Sequence, residues 1–427
     1  MTRETALYGR PETGKCAAAI RNKSIQSAGL RFPLELARLL ALSEPPSLWS
    51  TKPLILPLPL IHVPTCQLVP LTKMHSSLSN IRLAGIAVTT GSIVRDYITD
   101  GLAAGVDRSI LERNSKTLGL KERRVAAPGV TALDLCADAA TRLLNELGVD
   151  ATSIDALIFV TQTPDHPQPN NASLLHGRLS LSKSAPAYDL SLGCSGWVYG
   201  LHQAALLCAH GGAARVLLCA GDTLSRLTNP GDRSTDPLFG DAGSATIVEK
   251  TGRASPWHFV LGADGVGASS IIVKQGGARQ PDGSLDEVID SEGNRKHDAN
   301  LLMNGADVFS FSLREPPAAI NAVLRHSGYS PETADVLLLH QANRFMVSTI
   351  AKKLGFAESK TPMAVFEKYG NQSSASMPCA LVDGFAKRLE SSPLKVVGCG
   401  FGVGLSWGAF SGEVGPFAAL PTLSFPR

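Results

Sequence analysis

A repeated order of elements constrains the fold of this chain more than any other feature of the sequence. Two short runs of mainly branched apolar residues, 156–160 (ALIFV) and 335–339 (DVLLL), begin 179 residues apart. Two further apolar runs, 214–221 and 394–400, begin 180 residues apart. Short unbroken apolar runs are typical of parallel strands that are covered on both faces. The repeat therefore predicts two similar α/β halves packed as one body.

Helical patterns accompany the strands in both halves. Amphipathic stretches at 132–147 and 314–326 precede the first strand of each half, and turns at Cys194 and Asn371 each lead into a further helix. These two turns are 177 residues apart, so three features recur in the same order at nearly one offset. Chance similarity between α/β segments is the alternative explanation.

The beginning of the chain does not share this pattern. Residues 1–76 form an N-terminal extension, and the predicted halves follow at 77–250 and 251–427. Prolines interrupt the apolar stretch at 51–73, which excludes a membrane helix, and the first residues lack the compact apolar region of a secretory signal. We expect the extension to be disordered, or to precede the native start with Met74 as the candidate first residue.

The composition limits the classes of function. The chain has 40 basic and 37 acidic residues without a long basic run, so a nucleic-acid surface is not expected. Its 8 cysteines form no CxxC pair, and most lie in apolar segments. Such thiols are typically reduced core residues, which favours a cytoplasmic protein without a disulfide framework or a metal site.

Cys194 is the cysteine whose surroundings differ from the rest. A strand-like run ends at Leu192, Gly193 makes a turn, and a helix follows. The helix dipole and the free backbone N–H groups at such a position favour a thiolate. Gly193 and Gly196 on either side of Cys194 would also let a substrate approach the backbone. A buried structural cysteine is the competing interpretation.

His340 and Asn371 are candidate catalytic residues in the second half. His340 follows the run DVLLL, at the carboxyl edge of a strand, where catalytic groups of α/β folds collect. Asn371 precedes a serine-rich segment that opens a helix. A structural histidine and an ordinary helix cap are the alternatives. With Cys194 they suit thioester chemistry, because cysteine can hold an acyl group while neutral His and Asn donate hydrogen bonds to an enolate oxygen.

Four segments carry a resemblance to a known family. LGCSGWVYGL, LLHQANRF, YGNQSSAS and GVGLSWGAF closely resemble the active-site motifs of 3-oxoacyl-ACP synthase III, which belongs to the thiolase superfamily. The resemblance covers residues 80–412 and places the catalytic set on Cys194, His340 and Asn371. It implies a thiolase-like α/β fold with two duplicated halves in a five-layer αβαβα arrangement.

The resemblance also implies substrates and partners. An acyl-CoA or acyl-ACP primer would condense with malonyl-ACP, with loss of carbon dioxide, to give 3-oxoacyl-ACP and to initiate fatty-acid or related acyl-chain synthesis. Coenzyme A and acyl-carrier-protein thioesters are then substrates, so no cofactor is expected. A cytoplasmic homodimer that binds neither membrane nor nucleic acid is expected.

Further site residues follow from the resemblance alone. Gly305 and Asn343 would line the pantetheine channel, and Arg233 would approach the coenzyme A nucleotide. The usual GGG oxyanion loop reads Gly402-Val403-Gly404, in which the backbone N–H of Val403 can serve if its dihedral angles suit a residue other than glycine.

Several positions depart from the family pattern. Arg113 and Thr117 stand where the family commonly has Trp and Arg for the nucleotide, and Phe345 stands where an Arg is frequent. We therefore expect a preference for a longer acyl-CoA or acyl-ACP primer over acetyl-CoA. A thiolase-fold acyltransferase or condensing enzyme of a specialised pathway with a different acceptor is one alternative, and an inactive structural homologue is another.

A basic patch is the expected docking surface for an acidic carrier protein. Arg344, Lys352 and Lys353 lie in the helical segment after His340 and are the candidates. A solvated helix face is the alternative for each of them.

Overall fold

The computed structural model describes residues 74–252 and 255–426. The predicted N-terminal extension lies outside the described residues, apart from positions 74–76. Within the described part of the chain, no helix combines the length and the apolar character that crossing a membrane requires.

The strands are numbered here in chain order over the described residues. They are β1 (His75–Leu78), β2 (Ile81–Thr90), β3 (Ile93–Asp96), β4 (Glu122–Val125), β5 (Ala156–Val160), β6 (Ala187–Leu190), β7 (Arg215–Asp222), β8 (Ala242–Lys250), β9 (Trp257–Ala263), β10 (Ile271–Ile272), β11 (Val288–Ile289), β12 (Arg295–Lys296), β13 (Leu302–Met303), β14 (Val336–Leu339), β15 (Leu394–Gly402), β16 (Ser406–Val414), β17 (Ala418–Ala419) and β18 (Leu423–Ser424).

The α-helices are numbered in the same way. They are α1 (Tyr97–Ala103), α2 (Arg108–Leu118), α3 (Ala132–Leu147), α4 (Asn171–Arg178), α5 (Gly196–Ala209), α6 (Gly305–Ser312), α7 (Glu315–Ser327), α8 (Arg344–Lys353), α9 (Ala364–Tyr369) and α10 (Ser376–Ser391).

Two mixed sheets share one strand order. The first runs β17-β2-β8-β7-β5-β6, with β18 also beside β2, and the second runs β1-β9-β16-β15-β14. The set β2-β8-β7-β5 corresponds to β9-β16-β15-β14, because each has two antiparallel pairings followed by one parallel pairing. The predicted duplication is therefore confirmed. The exact division at residue 250 stays a prediction, since β1 joins the second sheet while β17 and β18 join the first.

Successive side chains on each strand point to opposite faces of its sheet, and both faces are covered by helices. Ile158 on β5 and Leu338 on β14 both face one central apolar cluster that includes α5 and α10. Their neighbours point the opposite way, as strand geometry requires. Phe159 packs with α3 and α4, and Leu339 packs with α7 and α8. The layers are thus helix, sheet, helix, sheet and helix, which confirms the αβαβα arrangement.

The strand ends determine where a site can form. The strand predicted at 156–160 and the helix predicted at 132–147 coincide with β5 and α3. In each sheet the parallel pair, β5 with β7 and β14 with β15, presents its carboxyl ends at one edge. Helices α5 and α10 occupy the layer between the sheets, so the turns that precede them lie near these edges.

Candidate active site

Cys194 lies in the turn before the central helix α5. The helix begins at Gly196, and Ser195 occupies the N-cap without a side-chain cap hydrogen bond. Trp197 and Val198 in its first turn are fully buried, which fixes the start of the helix in the core. The predicted location of the thiol at a helix N-terminus is therefore confirmed.

Neighbouring segments crowd Cys194. A Cβ atom at Gly402, the last residue of β15, would lie only 2.9 Å from Cys194 Sγ. A Cβ atom at Gly193 would lie 2.2 Å from Nε2 of Gln162. The space beside Gly193 is thus occupied by the Gln162 side chain, so the expectation that this glycine admits a substrate is wrong. Both glycines serve close packing around the sulfur.

Desolvation favours the protonated form of the Cys194 thiol. Burial raises the pKa of Cys194 to about 12, and the negative charge of Asp222 acts in the same direction. Hydrogen bonds from the Ser373 side chain and from the backbone N–H groups of Cys194 and Val403 lower this pKa without cancelling the effect of burial. A helix N-terminus alone favours the thiolate, but desolvation outweighs it here.

His340 is a buried neutral imidazole. It follows β14, and its Nδ1 lies 2.8 Å from Oγ of Ser376. The ring packs edge-on against Phe401, with 5.6 Å between the ring centroids. Burial lowers the pKa of His340 to about 3, while a hydrogen bond with the backbone of Ser373 acts in the opposite direction. A neutral imidazole donates one hydrogen bond and accepts another.

The backbone of Asn371 is fixed on both sides. Its N–H donates to the carbonyl of Leu238 at 2.8 Å, and its carbonyl accepts from the N–H of Gly240 at 3.0 Å. Its side-chain Oδ1 accepts from the N–H of Ser373 at 3.0 Å. No hydrogen bond joins Nδ2 to another side chain or carbonyl in the described residues, so this amide group can donate to a ligand.

Ser373 is the residue around which the three predicted catalytic side chains gather. Its Oγ lies 3.9 Å from Cys194 Sγ, and its N–H binds the Asn371 side chain. Its backbone also acts on the His340 ring, whose pKa it raises. The structure therefore brings Cys194, His340 and Asn371 to one place, while their catalytic roles stay predictions.

The serines after Asn371 have contacts that were not predicted from the sequence. None of them makes a side-chain cap hydrogen bond to α10 or to the short 3₁₀ turn before it. Ser373 instead contacts Cys194, Ser374 donates to Asp222 at 2.7 Å, and Ser376 binds His340. The sequence did offer one indication of these contacts. A helix needs one cap residue, whereas this segment has three serines in four positions.

The backbone of the predicted oxyanion loop is compatible with a valine at position 403. The non-glycine residues with positive φ among those described are Asn80, Ser180 and Ser373, so Val403 has an ordinary backbone conformation. Gly404 takes φ 131°. The backbone N–H of Val403 lowers the pKa of Cys194, which places this donor beside the sulfur. An oxyanion that forms on an acyl group attached to Cys194 can therefore accept a hydrogen bond from this N–H.

The other predicted substrate residues lie on separate elements. Gly305 is the first residue of α6, and Asn343 is the N-cap of α8, where its Oδ1 accepts a backbone N–H at 2.8 Å. Arg233 lines a cavity of about 470 Å³ beside α1 and α2. Within the described residues, none of the three forms a hydrogen bond with the Cys–His–Asn set. Their contacts with substrate stay predictions.

The fold and the site define the class of the protein. Two duplicated α/β halves in five layers, with a cysteine, a histidine and an asparagine at the meeting strand edges, are the arrangement of a thiolase-like condensing enzyme. The sequence profile of the family described as 3-oxoacyl-[acyl-carrier-protein (ACP)] synthase III matches residues 188–265. The profile of the C-terminal part of that family matches residues 324–413.

Individual relatives agree with these profiles. A putative 3-oxoacyl-[acyl-carrier-protein] synthase 3 of Campylobacter jejuni is 35% identical over 79% of this chain and 94% of its own length. A beta-ketoacyl-[acyl-carrier-protein] synthase III of Rhodopirellula baltica is 34% identical over 78% of this chain and 98% of its own. The crystal structure of a 3-oxoacyl-(acyl-carrier protein) synthase of Burkholderia xenovorans superimposes with TM-score 0.78 at 37% identity, covering 82% of this chain and 99% of that one. This chain belongs to the 3-oxoacyl-ACP synthase III family, a family of condensing acyltransferases in the thiolase superfamily.

Proposed function

We propose that this enzyme condenses an acyl-CoA or acyl-ACP primer with malonyl-ACP to give 3-oxoacyl-ACP, carbon dioxide and the free thiol of the primer carrier. The reaction would initiate fatty-acid or related acyl-chain synthesis. The convergence of Cys194, His340 and Asn371 around Ser373 is the observation that carries this proposal. Family membership favours it over transfer to a different acceptor.

The first step moves the acyl group to Cys194. The sulfur attacks the carbonyl carbon of the primer thioester, the bond from that carbon to the carrier sulfur breaks, and the carrier leaves as a thiol with the proton that Cys194 gives up. Because burial raises the pKa of the resting thiol to about 12, this proton leaves as the new carbon–sulfur bond forms. The N–H groups of Cys194 and Val403 stabilise the oxyanion that develops.

The second step forms the carbon–carbon bond. The bond to the malonyl carboxylate breaks, carbon dioxide leaves, and the electron pair forms an enolate. His340 and the Nδ2 group of Asn371 donate hydrogen bonds to the enolate oxygen, which neutral donors stabilise without taking up its charge. The enolate carbon attacks the acyl carbonyl, the bond to Cys194 breaks, and the sulfur takes up a proton from the solvent.

Recognition of coenzyme A relies on different side chains from those common in the family. Arg113 and Thr117 are exposed on α2, and Arg233 lines the cavity beside that helix. These positions offer cations but no aromatic stacking partner for adenine. We propose that coenzyme A binds through charge contacts and that the primer is longer than acetyl.

Helix α8 is the proposed docking surface for the acidic carrier protein. Lys352 is exposed there, while Arg344 pairs with Glu367 at 2.9 Å and Lys353 donates to the carbonyl of Leu313 at 2.6 Å. The two partnered cations keep a fixed position, and Lys352 is the most available for a new ion pair. If this face binds the carrier protein, reversal of the charge at Lys352 should raise the KM for the carrier substrate.

Assembly, cofactors and location complete the proposal. Strand β6 forms one edge of the first sheet, and its residues are half-buried, which suits pairing with a second copy in a homodimer. No cofactor takes part in the proposed reaction, because the thioesters of coenzyme A and ACP are its substrates. The mainly apolar cysteine environments fit a reducing cytoplasm.

The test is a paired measurement of product and carbon dioxide. Purified enzyme receives acyl-CoA primers of increasing length together with malonyl-ACP labelled in its free carboxyl carbon. We expect release of labelled carbon dioxide in equal amount to 3-oxoacyl-ACP, with a primer longer than acetyl giving the highest kcat/KM. Acylation of the enzyme without carbon dioxide release from malonyl-ACP would instead indicate a different acceptor.

A further inference from the structure

Asp222 is a fully buried carboxylate beside the site, and the proposed reaction does not use it directly. It ends β7, at the carboxyl edge of the first sheet. The hydrogen bonds that hold it come from neutral donors. Burial of a carboxylate without a cationic partner destabilises the folded state. Its position therefore calls for an explanation other than core stability.

The two carboxylate oxygens of Asp222 hold two different segments. Oδ1 accepts from the backbone N–H of Gln162 at 2.7 Å and from the hydroxyl of Thr161 at 3.3 Å. Oδ2 accepts from the hydroxyl of Ser374 at 2.7 Å and from its backbone N–H at 3.3 Å. The carboxylate thus connects the end of β5 in the first half to the turn after Asn371 in the second half.

The segments that Asp222 holds enclose a strained residue. Ser373 has φ 48°, a conformation that costs free energy for a residue with a Cβ and persists only where its surroundings enforce it. The Gln162 side chain donates to Ser373 Oγ at 3.0 Å, and Ser374 is the next residue along the chain. In this conformation the N–H of Ser373 binds Oδ1 of Asn371 and its hydroxyl faces Cys194.

The charge of Asp222 does not help the nucleophile. It raises the pKa of Cys194, and burial raises the pKa of Asp222 itself. A neutral residue would suit both the core and the thiol better. The benefit of the carboxylate lies with the turn, because an amide in its place cannot accept four hydrogen bonds from donors on both sides.

We propose that Asp222 is a positioning residue for carbon–carbon bond formation, whose carboxylate holds the strained turn at Ser373 and Ser374 so that the Asn371 amide faces the acyl group on Cys194. This inference rests on the proposed function. The role of Asp222 should therefore differ between the two half-reactions. The attack of Cys194 on the primer does not need Asn371, whereas stabilisation of the enolate does.

Two variants and a matched control test this role. Asp222→Asn keeps the size of the side chain and removes its charge, and Ser374→Ala deletes one donor on the side of the turn. Thr161→Val deletes a donor to the same carboxylate on the opposite side. Each is assayed for acylation by acyl-CoA and, after preloading with acyl groups, for condensation with malonyl-ACP. Backbone amide hydrogen exchange of the peptide that contains 371–376 gives a readout independent of activity.

Asp222→Asn should slow condensation about a hundredfold, the effect of misplacing a reacting group by about 1 Å, while acylation changes by less than about threefold. Ser374→Ala should also slow condensation more than acylation, by a smaller factor. The double variant should be no slower than Asp222→Asn, since both substitutions remove the same contact between Ser374 and Asp222. Amide exchange at 371–376 should rise in these variants and stay unchanged in Thr161→Val.

Equal slowing of both half-reactions, additive losses in the double variant, or unchanged exchange at 371–376 would overturn the positioning role. If Asp222→Asn does not fold, the selectivity of Ser374→Ala relative to Thr161→Val decides the matter. Absence of condensation by the wild-type enzyme would refute the proposed function instead, and the exchange measurement would still report on Asp222.

Discussion

The turns at Cys194 and Asn371 occupy equivalent places in the two halves, yet they are held in different ways. The Cys194 turn is held by close packing: Gly193 lies against Gln162, and Gly402 closes on the sulfur. The Asn371 turn is held by hydrogen bonds: the Asn371 backbone bonds the backbone of Leu238 and Gly240, and the Ser374 hydroxyl donates to the carboxylate of Asp222. The duplication thus supplies two matched positions, one dry enough for a protonated thiol and one polar enough to orient an amide.

The largest expected effect concerns the nucleophile. Cys194→Ala should abolish both acylation and product formation, because it removes the sulfur that holds the acyl chain. Cys208→Ala is the matched control, since Cys208 is a buried thiol on helix α5, the helix that follows the Cys194 turn, and it donates to the carbonyl of Val248. Activity assays should show product from Cys208→Ala and none from Cys194→Ala. Residual acyl transfer by Cys194→Ala would assign the nucleophile elsewhere.

The protonation state of Cys194 should appear in its pH dependence. Because burial raises the pKa of the thiol to about 12, the reactive thiolate fraction grows throughout the range below that value. The rate of Cys194 alkylation by iodoacetamide should therefore rise about tenfold per pH unit from pH 7 to 10. Peptide mapping of the alkylated enzyme measures the rate. A plateau near pH 8.5 or below would show that the dipole of α5 outweighs burial.

Loss of the hydrogen-bond donors should affect the second half-reaction. Asn371→Ala and His340→Ala should each lower the rate of condensation by about a hundredfold to a thousandfold, as removal of an oxyanion donor does in other enzymes. Acylation by acyl-CoA should change much less. Rapid-quench measurements on preloaded enzyme separate the two rates. A uniform decrease in both would contradict the division of labour between the two turns.

The smallest expected effect tests the packing of the Cys194 turn. Gly402→Ala should lower the rate of acylation by about tenfold or more, because its Cβ would stand 2.9 Å from the sulfur and displace it. Gly177→Ala on α4 is the control, since a Cβ at Gly177 meets no atom within 4 Å. Single-turnover acylation compares the two variants. Equal rates would mean that the sulfur tolerates displacement.

Local sequence patterns predicted the two duplicated α/β halves, while the five-layer thiolase-like arrangement was implied by the family resemblance. Apolar runs and amphipathic periodicity identified β5, β14 and α3, and the constant offset between them revealed the duplication. The placement of Cys194, His340 and Asn371 at strand edges and helix starts followed from the same patterns. Each of these signals is local, or repeats at a fixed distance along the chain.

The support of the site could not be predicted in this way. Asp222 and Ser374 are 152 positions apart, and no periodicity links them. The direction of the pKa shift at Cys194 was not predictable either, because the helix N-terminus, which favours a lower pKa, is visible in the sequence, while the burial that raises it depends on β15 of the other half. The serines after Asn371 suggested a helix cap, since their tertiary partners are distant in sequence.

The most direct test of the central claim is the mass of the Cys194 peptide after incubation with acyl-CoA. The account predicts that the peptide containing Cys194 gains the mass of the acyl group, that no peptide containing another cysteine does so, and that malonyl-ACP removes the adduct with release of carbon dioxide. An unmodified Cys194 peptide with primers of every chain length, or an adduct that malonyl-ACP leaves in place, would contradict the account.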